Sequence, residues 1–383
     1  MALLPRLAAP LLCLVLSRGS ALAADPAAFN SHEVNADGSI TFRLRDPGAT
    51  TVGVTVANLP DPLPLSKADG TWSVTTRPLD PSIYWYSFIV NGRAQLDPVN
   101  PDVYPNLAYL NSFVAVTGKG PLPWLERDVP HGVVHHHHYT SKLVMGLPGG
   151  RSDFVVYTPP GYDPKAATPY PVLYLLHGYG QTAVNWTLEG RANVILDNLL
   201  SEGRARPMLV VMPFGYGDMS VLPDNWDARI AGNDRQFGRV LIEEVIPAVE
   251  SAYNVSRDRR GRAIAGLSMG GLQSLEIGFN HPDLFASIGG FSASASEYHD
   301  TPFTAALTPK AGDYRLLWIG CGTREIFKEG DKVDDNLVDN RKLEEVLRSR
   351  GFKVEDVPLP GMHTWLVWHE CLNRFAPLLF REP

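Results

Sequence analysis

The chain has 383 residues, 44% of them hydrophobic and 20% charged, with a formal net charge of −7. That content supplies a large core and room for two domains. No Lys/Arg run or basic stripe stands out, so nucleic acid is not an expected partner.

The first residues, "MALLPRLAAPLLCLVLSRGSALAADPAAF", carry Arg6, a short apolar run and Ala21-Leu22-Ala23. This is the pattern of a secretory leader cut after an A-x-A site, here residues 1–23. The run "LAAPLLCLVL" is about ten residues long, too short for a bilayer span, and no other segment predicts one. The expected location is secreted or periplasmic. Cys13 would leave with the leader. Cys321 and Cys371 remain, without metal-ligand spacing; an oxidising compartment would permit their pairing and their apolar surroundings suit buried thiols equally.

Residues 24–118 predict a small all-β domain. "SITFRLRDPG", "TVGVTVANLP", "GTWSVTTRPL", "SIYWYSFIVNGR" and "NSFVAVTG" are short, alternating strands broken by turns at Asp46-Pro47-Gly48 and Asn91-Gly92. Close strand spacing suggests an antiparallel sandwich. Residues 119–134, "KGPLPWLERDVPHG" onward, read as a linker. From residue 135 the pattern alternates strand and helix. "PYPVLYLLHG" and "RPMLVVMPFG" are continuous apolar runs suited to strands buried on both faces. "RAIAGLS", "FASIGGFS", "YRLLWIGCG" and "KVEDVPLPG" add strands, and "DRQFGRVLIEEVIPAVESAY" and "LVDNRKLEEVLRSRG" have helical spacing. The fold class is α/β, with a mostly parallel central sheet over residues 135–383. His135 to His138 read into a strand and are assigned a structural role; no metal site is expected.

"GLSMGG" follows the strand "RAIAG" and precedes the helical "GGLQSLEIGFN". Strand, sharp turn and helix form a nucleophile elbow with Ser268 at its apex; Gly266, Gly270 and Gly271 relieve crowding. A serine needs a base. Of the four later histidines, His281 ends a helix, His299 lies in a loop and remains open, and His369 lies on the last helix. His363, in "PLPGMHTW" just past a strand, is the assigned base. The base needs a carboxylate. Glu325 follows "YRLLWIG" by four residues, ahead of Glu329, Asp331, Asp334 and Asp335, which read as a solvated loop and helix start. The oxyanion donors are expected at the amides of Met269 and of Tyr179, in "LLHGYG", where His177 braces the loop.

These stretches, with "VVYTPPGYD", "LVVMPFGYG" and "GMHTWLVWHECLNRFAPLLF", resemble the esterase-D-like α/β hydrolases of carbohydrate esterase family 1, especially feruloyl esterases. The resemblance covers residues 135–383. Residues 33–118 resemble the Ig-like early-set domain that precedes some of these enzymes. The resemblance implies the α/β-hydrolase fold, a Ser268–His363 pair and oxyanion amides at Tyr179 and Met269. It departs at Glu325, where the family usually has aspartate, so a nearby aspartate stays open as the acid. It implies cofactor-free hydrolysis of feruloyl or acetyl esters on plant cell-wall polysaccharide such as xylan. Trp186, Trp226, Trp365 and Trp368 are candidates for an aromatic acyl or sugar pocket. Alternatives are an acetyl-xylan esterase, an enterochelin-type siderophore esterase, or an inert carbohydrate-binding protein. Oligomeric state is not implied.

Overall fold

The computed structural model describes residues 29–222, 226–293, 312–329 and 332–381; side chains at 226–229, 328, 329 and 332 are outside that description. The leader read from residues 1–23 and the open candidate His299 also lie outside it. Among the described residues no helix is long and apolar enough to cross a membrane.

The N-terminal region is all-β. One sheet pairs His32–Val34, Ile40–Leu44, Thr71–Thr75 and Ser66–Ala68 in that order, and a second is built on Val52–Val56, Ser82–Val90 and Asn111–Val116. Every pairing is antiparallel. Alternation turns Ile40, Phe42 and Leu44 of one sheet and Val52, Val54 and Val56 of the other into a shared core with Tyr86 and Phe88. Asn91 (φ 48°) and Gly92 (φ 80°) make the two-residue turn that the sequence signalled.

Eight strands form the central sheet: β1 (Val133–Thr140), β2 (Arg151–Thr158), β3 (Val172–Leu176), β4 (Leu209–Pro213), β5 (Arg262–Leu267), β6 (Ser287–Phe291), β7 (Leu316–Gly322) and β8 (Glu355–Leu359). Their spatial order is β1-β2-β4-β3-β5-β6-β7-β8. The β1–β2 and β2–β4 pairs are antiparallel and the rest are parallel. Strand β3, "VLYLL", is buried throughout because both faces are covered. Leu173 and Leu175 face a core shared with helices α1 (Ala192–Ser201) and α5 (Trp365–Phe375). Val172, Tyr174 and Leu176 face the opposite core, with helices α2 (Trp226–Val240), α3 (Met269–Asn280) and α4 (Asn336–Ser349).

Two sequence expectations change. The segment 119–134 is not a free linker. Trp124 is buried and stacks on His369 at 5.3 Å, Asn198 Nδ2 donates to the Pro123 and Leu125 carbonyls at 2.9 Å each, and β1 already begins at Val133. Its apolar residues bind it to the sheet. The stretch after Glu325 is not a plain loop either: Ile326–Glu329 and Lys332–Asp335 form an antiparallel hairpin.

Candidate active site

Ser268 sits between β5 and α3 with φ 52° and ψ −119°, a strained conformation that a strand-to-helix elbow imposes. The glycines around it are required. A Cβ on Gly266 would lie 2.5 Å from the Gly270 backbone, and one on Gly270 would lie 2.5 Å from the His177 carbonyl. The serine is held by its own amide, which donates to the Phe291 carbonyl at 2.8 Å. Met269 is the first residue of α3, so its N–H has no acceptor within that helix.

His363 lies in the loop after β8 and Glu325 just past β7, so both share with Ser268 the carboxyl edge of the sheet. His363 Nδ1 pairs with Glu325 Oε2 at 2.8 Å. Because a carboxylate only accepts, Nδ1 carries the proton of this bond, and the neutral ring then presents its lone pair at Nε2. Glu325 is 1% exposed. Burial pushes its carboxyl up, but the charge and hydrogen bond of His363, with donors from Ser292 and Asn336, outweigh that and hold it below its ordinary range. Its Oε1 accepts from Ser292 Oγ at 2.6 Å and from the Gly322 amide at 2.7 Å, and its Oε2 also accepts from Asn336 Nδ2 at 2.8 Å.

The loop after β3 stands against the elbow: a Cβ on Gly178 would approach Ser268 Cβ to 3.4 Å. His177 is buried and braces this loop. Its Nε2 accepts from the Gly215 amide at 2.8 Å and its Nδ1 meets the Gly178 carbonyl at 2.8 Å. Burial lowers its pKa to about 4, so it stays neutral. Tyr179 follows Gly178 directly, and its hydroxyl donates to the Val221 carbonyl at 3.2 Å.

The tryptophan expectation is corrected at two of its four positions: Trp186 is 0% and Trp365 is 1% exposed, and they pack edge to face at 5.3 Å in the core. The side chain of Trp226 lies outside the described residues. The tryptophan that meets the histidine is Trp368, whose ring stands edge-on to His363 at 5.1 Å while its Nε1 donates to Ser292 Oγ at 3.0 Å. Phe327, from the hairpin, meets His363 at 5.1 Å on another side and is itself exposed. Asp335 caps α4 through the Leu337 and Val338 amides. Asp331 is outside the described residues. Cys321 and Cys371 are buried free thiols.

Ser292 and Asn336 escaped the sequence reading. Ser292 falls in "GFSAS", an imperfect repeat of the elbow motif, at the end of an apolar strand. Its place after a central strand was the available signal. Asn336 opens a helix eleven residues past Glu325 and had none. The only metal-type cluster among the described residues is His136, His138 and Asp153, whose ligand atoms lie within 4.8 Å of one another. It sits on the edge pair β1–β2, three strands or more from β5.

The "Putative esterase" family model matches residues 147–379. An endo-1,4-beta-xylanase/feruloyl esterase of Xylanibacter ruminicola is 29% identical over 360 residues, 91% of this chain and 46% of that protein. The chain spans about half or less of the length of the first curated relatives it matches. The CE1 ferulic acid esterase of Anaeromyces mucronatus aligns at 25% identity and TM-score 0.55, over 68% of this chain and 96% of that one. The enterobactin esterase of Shigella flexneri shares the fold at 17% identity and TM-score 0.65, over 88% and 92%. The match across residues 147–379 places this chain in the "Putative esterase" family, and the chain is similar to ferulic acid esterases of carbohydrate esterase family 1.

Proposed function

We propose that the protein is an exported serine esterase that releases feruloyl groups from plant cell-wall polysaccharide through an acyl-Ser268 intermediate. The observation that carries the mechanism is the His363–Glu325 pair at 2.8 Å, on the sheet edge that also bears the strained Ser268. His363 Nε2 takes the Ser268 hydroxyl proton as Oγ attacks the ester carbonyl. The amides of Tyr179 and Met269 stabilise the oxyanion. His363 then returns the proton to the leaving sugar oxygen. A water, deprotonated by the same nitrogen, attacks the acyl-serine and frees the acid and Ser268. Glu325 stays ionised and balances the imidazolium. No step calls for a cofactor.

The feruloyl assignment is supported by the named activities of the relatives, and export by the leader pattern of residues 1–23. A panel of methyl ferulate, acetylated xylan and enterobactin tests it. The reading expects the highest kcat/KM on methyl ferulate. Preference for acetylated xylan or enterobactin would keep the serine chemistry and replace the substrate.

A further inference from the structure

We infer that the N-terminal all-β region is a working part of the active site: it clamps the loop carrying the Tyr179 amide through Tyr104, Gln181 and the 106–109 turn. This rests on the proposed role of that amide. Gln181 is buried and its amide group is used at both ends. Its Oε1 accepts from the Gly178 N–H at 2.8 Å, and its Nε2 donates to the Tyr104 hydroxyl at 2.6 Å. Tyr104 belongs to the N-terminal region, yet is buried in the apolar cluster that holds Trp186 and Trp365. A second contact lies on the other side of Tyr179. The Leu107 N–H donates to the Gly180 carbonyl at 2.5 Å. Gly180 has φ +76°, and a Cβ there would lie 2.6 Å from Asn106 Oδ1, which itself accepts from the Ala108 and Tyr109 amides at 2.8 Å each. Gly178 and Gly180 are thus both held from the N-terminal region, and the amide between them has little freedom.

An apolar side chain would fill the space of Gln181 equally well. The amide is required only if the Gly178 peptide must point one way. A misplacement of about 1 Å in such a donor costs on the order of 100-fold in rate. The clamp also gives the sandwich a role separate from sugar binding. Tyr104, Asn106 and Gln181 are positioning residues; none is argued to touch the reacting atoms.

The test uses the full-length chain, p-nitrophenyl acetate as substrate and phenylboronic acid as the probe of the tetrahedral state. Gln181→Leu should lower kcat by about 10- to 100-fold with KM within about twofold, and weaken the boronate by a similar factor. Gln181→Glu, whose carboxylate can accept from both Gly178 N–H and Tyr104 O–H, should recover most of both. Val54→Ala, in the sandwich core away from the loop, should lower the melting temperature and leave kcat unchanged. Wild-type kcat and boronate affinity in Gln181→Leu would overturn the clamp, as would a failure of Gln181→Glu to rescue a well-folded protein. Absence of turnover in the wild-type chain would overturn the esterase mechanism beneath it.

A different observation points to a divalent transition-metal site on β1–β2, apart from the ester chemistry. Strand alternation splits the four histidines. His137 stacks on Phe154 at 4.9 Å and 8°, and its Nε2 meets the Tyr253 hydroxyl at 2.5 Å; His135 reaches Thr158. These two keep the structural role expected of the run. His136 and His138 project to the other face with rings 4.4 Å apart. Asp153 is the register partner of His138 and lies 2.6 Å from His136 Nε2. Two imidazoles and one carboxylate suit Zn²⁺ or Cu²⁺, with an open position left for water. Titrating tag-free protein with ZnCl₂ by calorimetry should give one site, lost in His136→Ala and in His138→Ala and retained in His137→Ala, while esterase activity is unmoved by chelator. Equal binding in His138→Ala, or no binding in wild type, would overturn it.

Discussion

Glu325 and Glu189 are both glutamates sealed from solvent, and both lie near the segment that carries His363 and His369, yet their charge states differ. Glu325 receives four hydrogen bonds, from His363, Ser292, Asn336 and the Gly322 amide. Glu189 receives one at its carboxyl, from Asn185 Nδ2 at 3.0 Å, and its other oxygen has no partner. Burial therefore wins at Glu189 and raises its pKa to about 8, whereas at Glu325 the donors and the imidazole win. The histidines repeat the contrast. His363 faces a carboxylate, while His369 is buried, pairs with the Glu189 carbonyl at 2.7 Å, and has its pKa lowered to about 3 by burial. Donor supply, more than depth, separates a group built to hold charge from one built to stay neutral.

The largest effect expected is at the paired region. Ser268→Ala and His363→Ala should each cost about 10⁴-fold or more in kcat with the fold intact, and the double variant little beyond either, because the two act as one unit. Near-additive losses in steady-state kinetics would break the pairing. Next comes Glu325→Gln, expected to lose about 10²- to 10⁴-fold in kcat with a modest change in KM. Asp334→Asn and Asp335→Asn should each lose less than about tenfold; Asp335→Asn touches only a helix cap.

Stability against pH sharpens the same contrast with a sign change. Glu325 has its folded pKa depressed, so its stabilisation is present above the ordinary glutamate range and is lost as pH falls through the folded value. Glu189 has its folded pKa raised from 4.5 to about 8, so the unfolded chain releases its proton first and stability falls as pH rises across that window. Denaturant midpoints should show Glu189→Gln flattening that fall while keeping turnover near wild type, the smallest kinetic effect of the set. A Glu189→Gln curve parallel to wild type from pH 5 to 8 would show that Glu189 is not the neutral acid.

Much of this was legible in the sequence because it follows from local rules. Three glycines around Ser268 mark an elbow, and fully apolar runs mark strands covered on both faces. The N-terminal strands were visible from alternation and from Asn91-Gly92. What stayed hidden depends on side-chain direction and on contacts between distant segments. Trp365 adjoins the histidine loop in sequence but turns into the core, and Trp368, one helical turn on, meets the ring. Asn336 reaches Glu325 across 11 residues with no linear signature, and Ser292, across 33, was marked only by its place after a central strand. The docking of Trp124 and of Tyr104 is likewise a property of the packed chain, because proline-rich segments look the same whether free or held.

If Ser268, activated by His363, is the nucleophile, a fluorophosphonate incubated with the full-length protein will mark it, and peptide mass spectrometry will map the adduct. One rapid adduct is expected on the peptide containing Ser268, blocked by prior phenylboronic acid and slowed by orders of magnitude in His363→Ala. A protein that turns over p-nitrophenyl acetate but carries the adduct on another residue, or labels Ser268 equally fast without His363, would contradict that role.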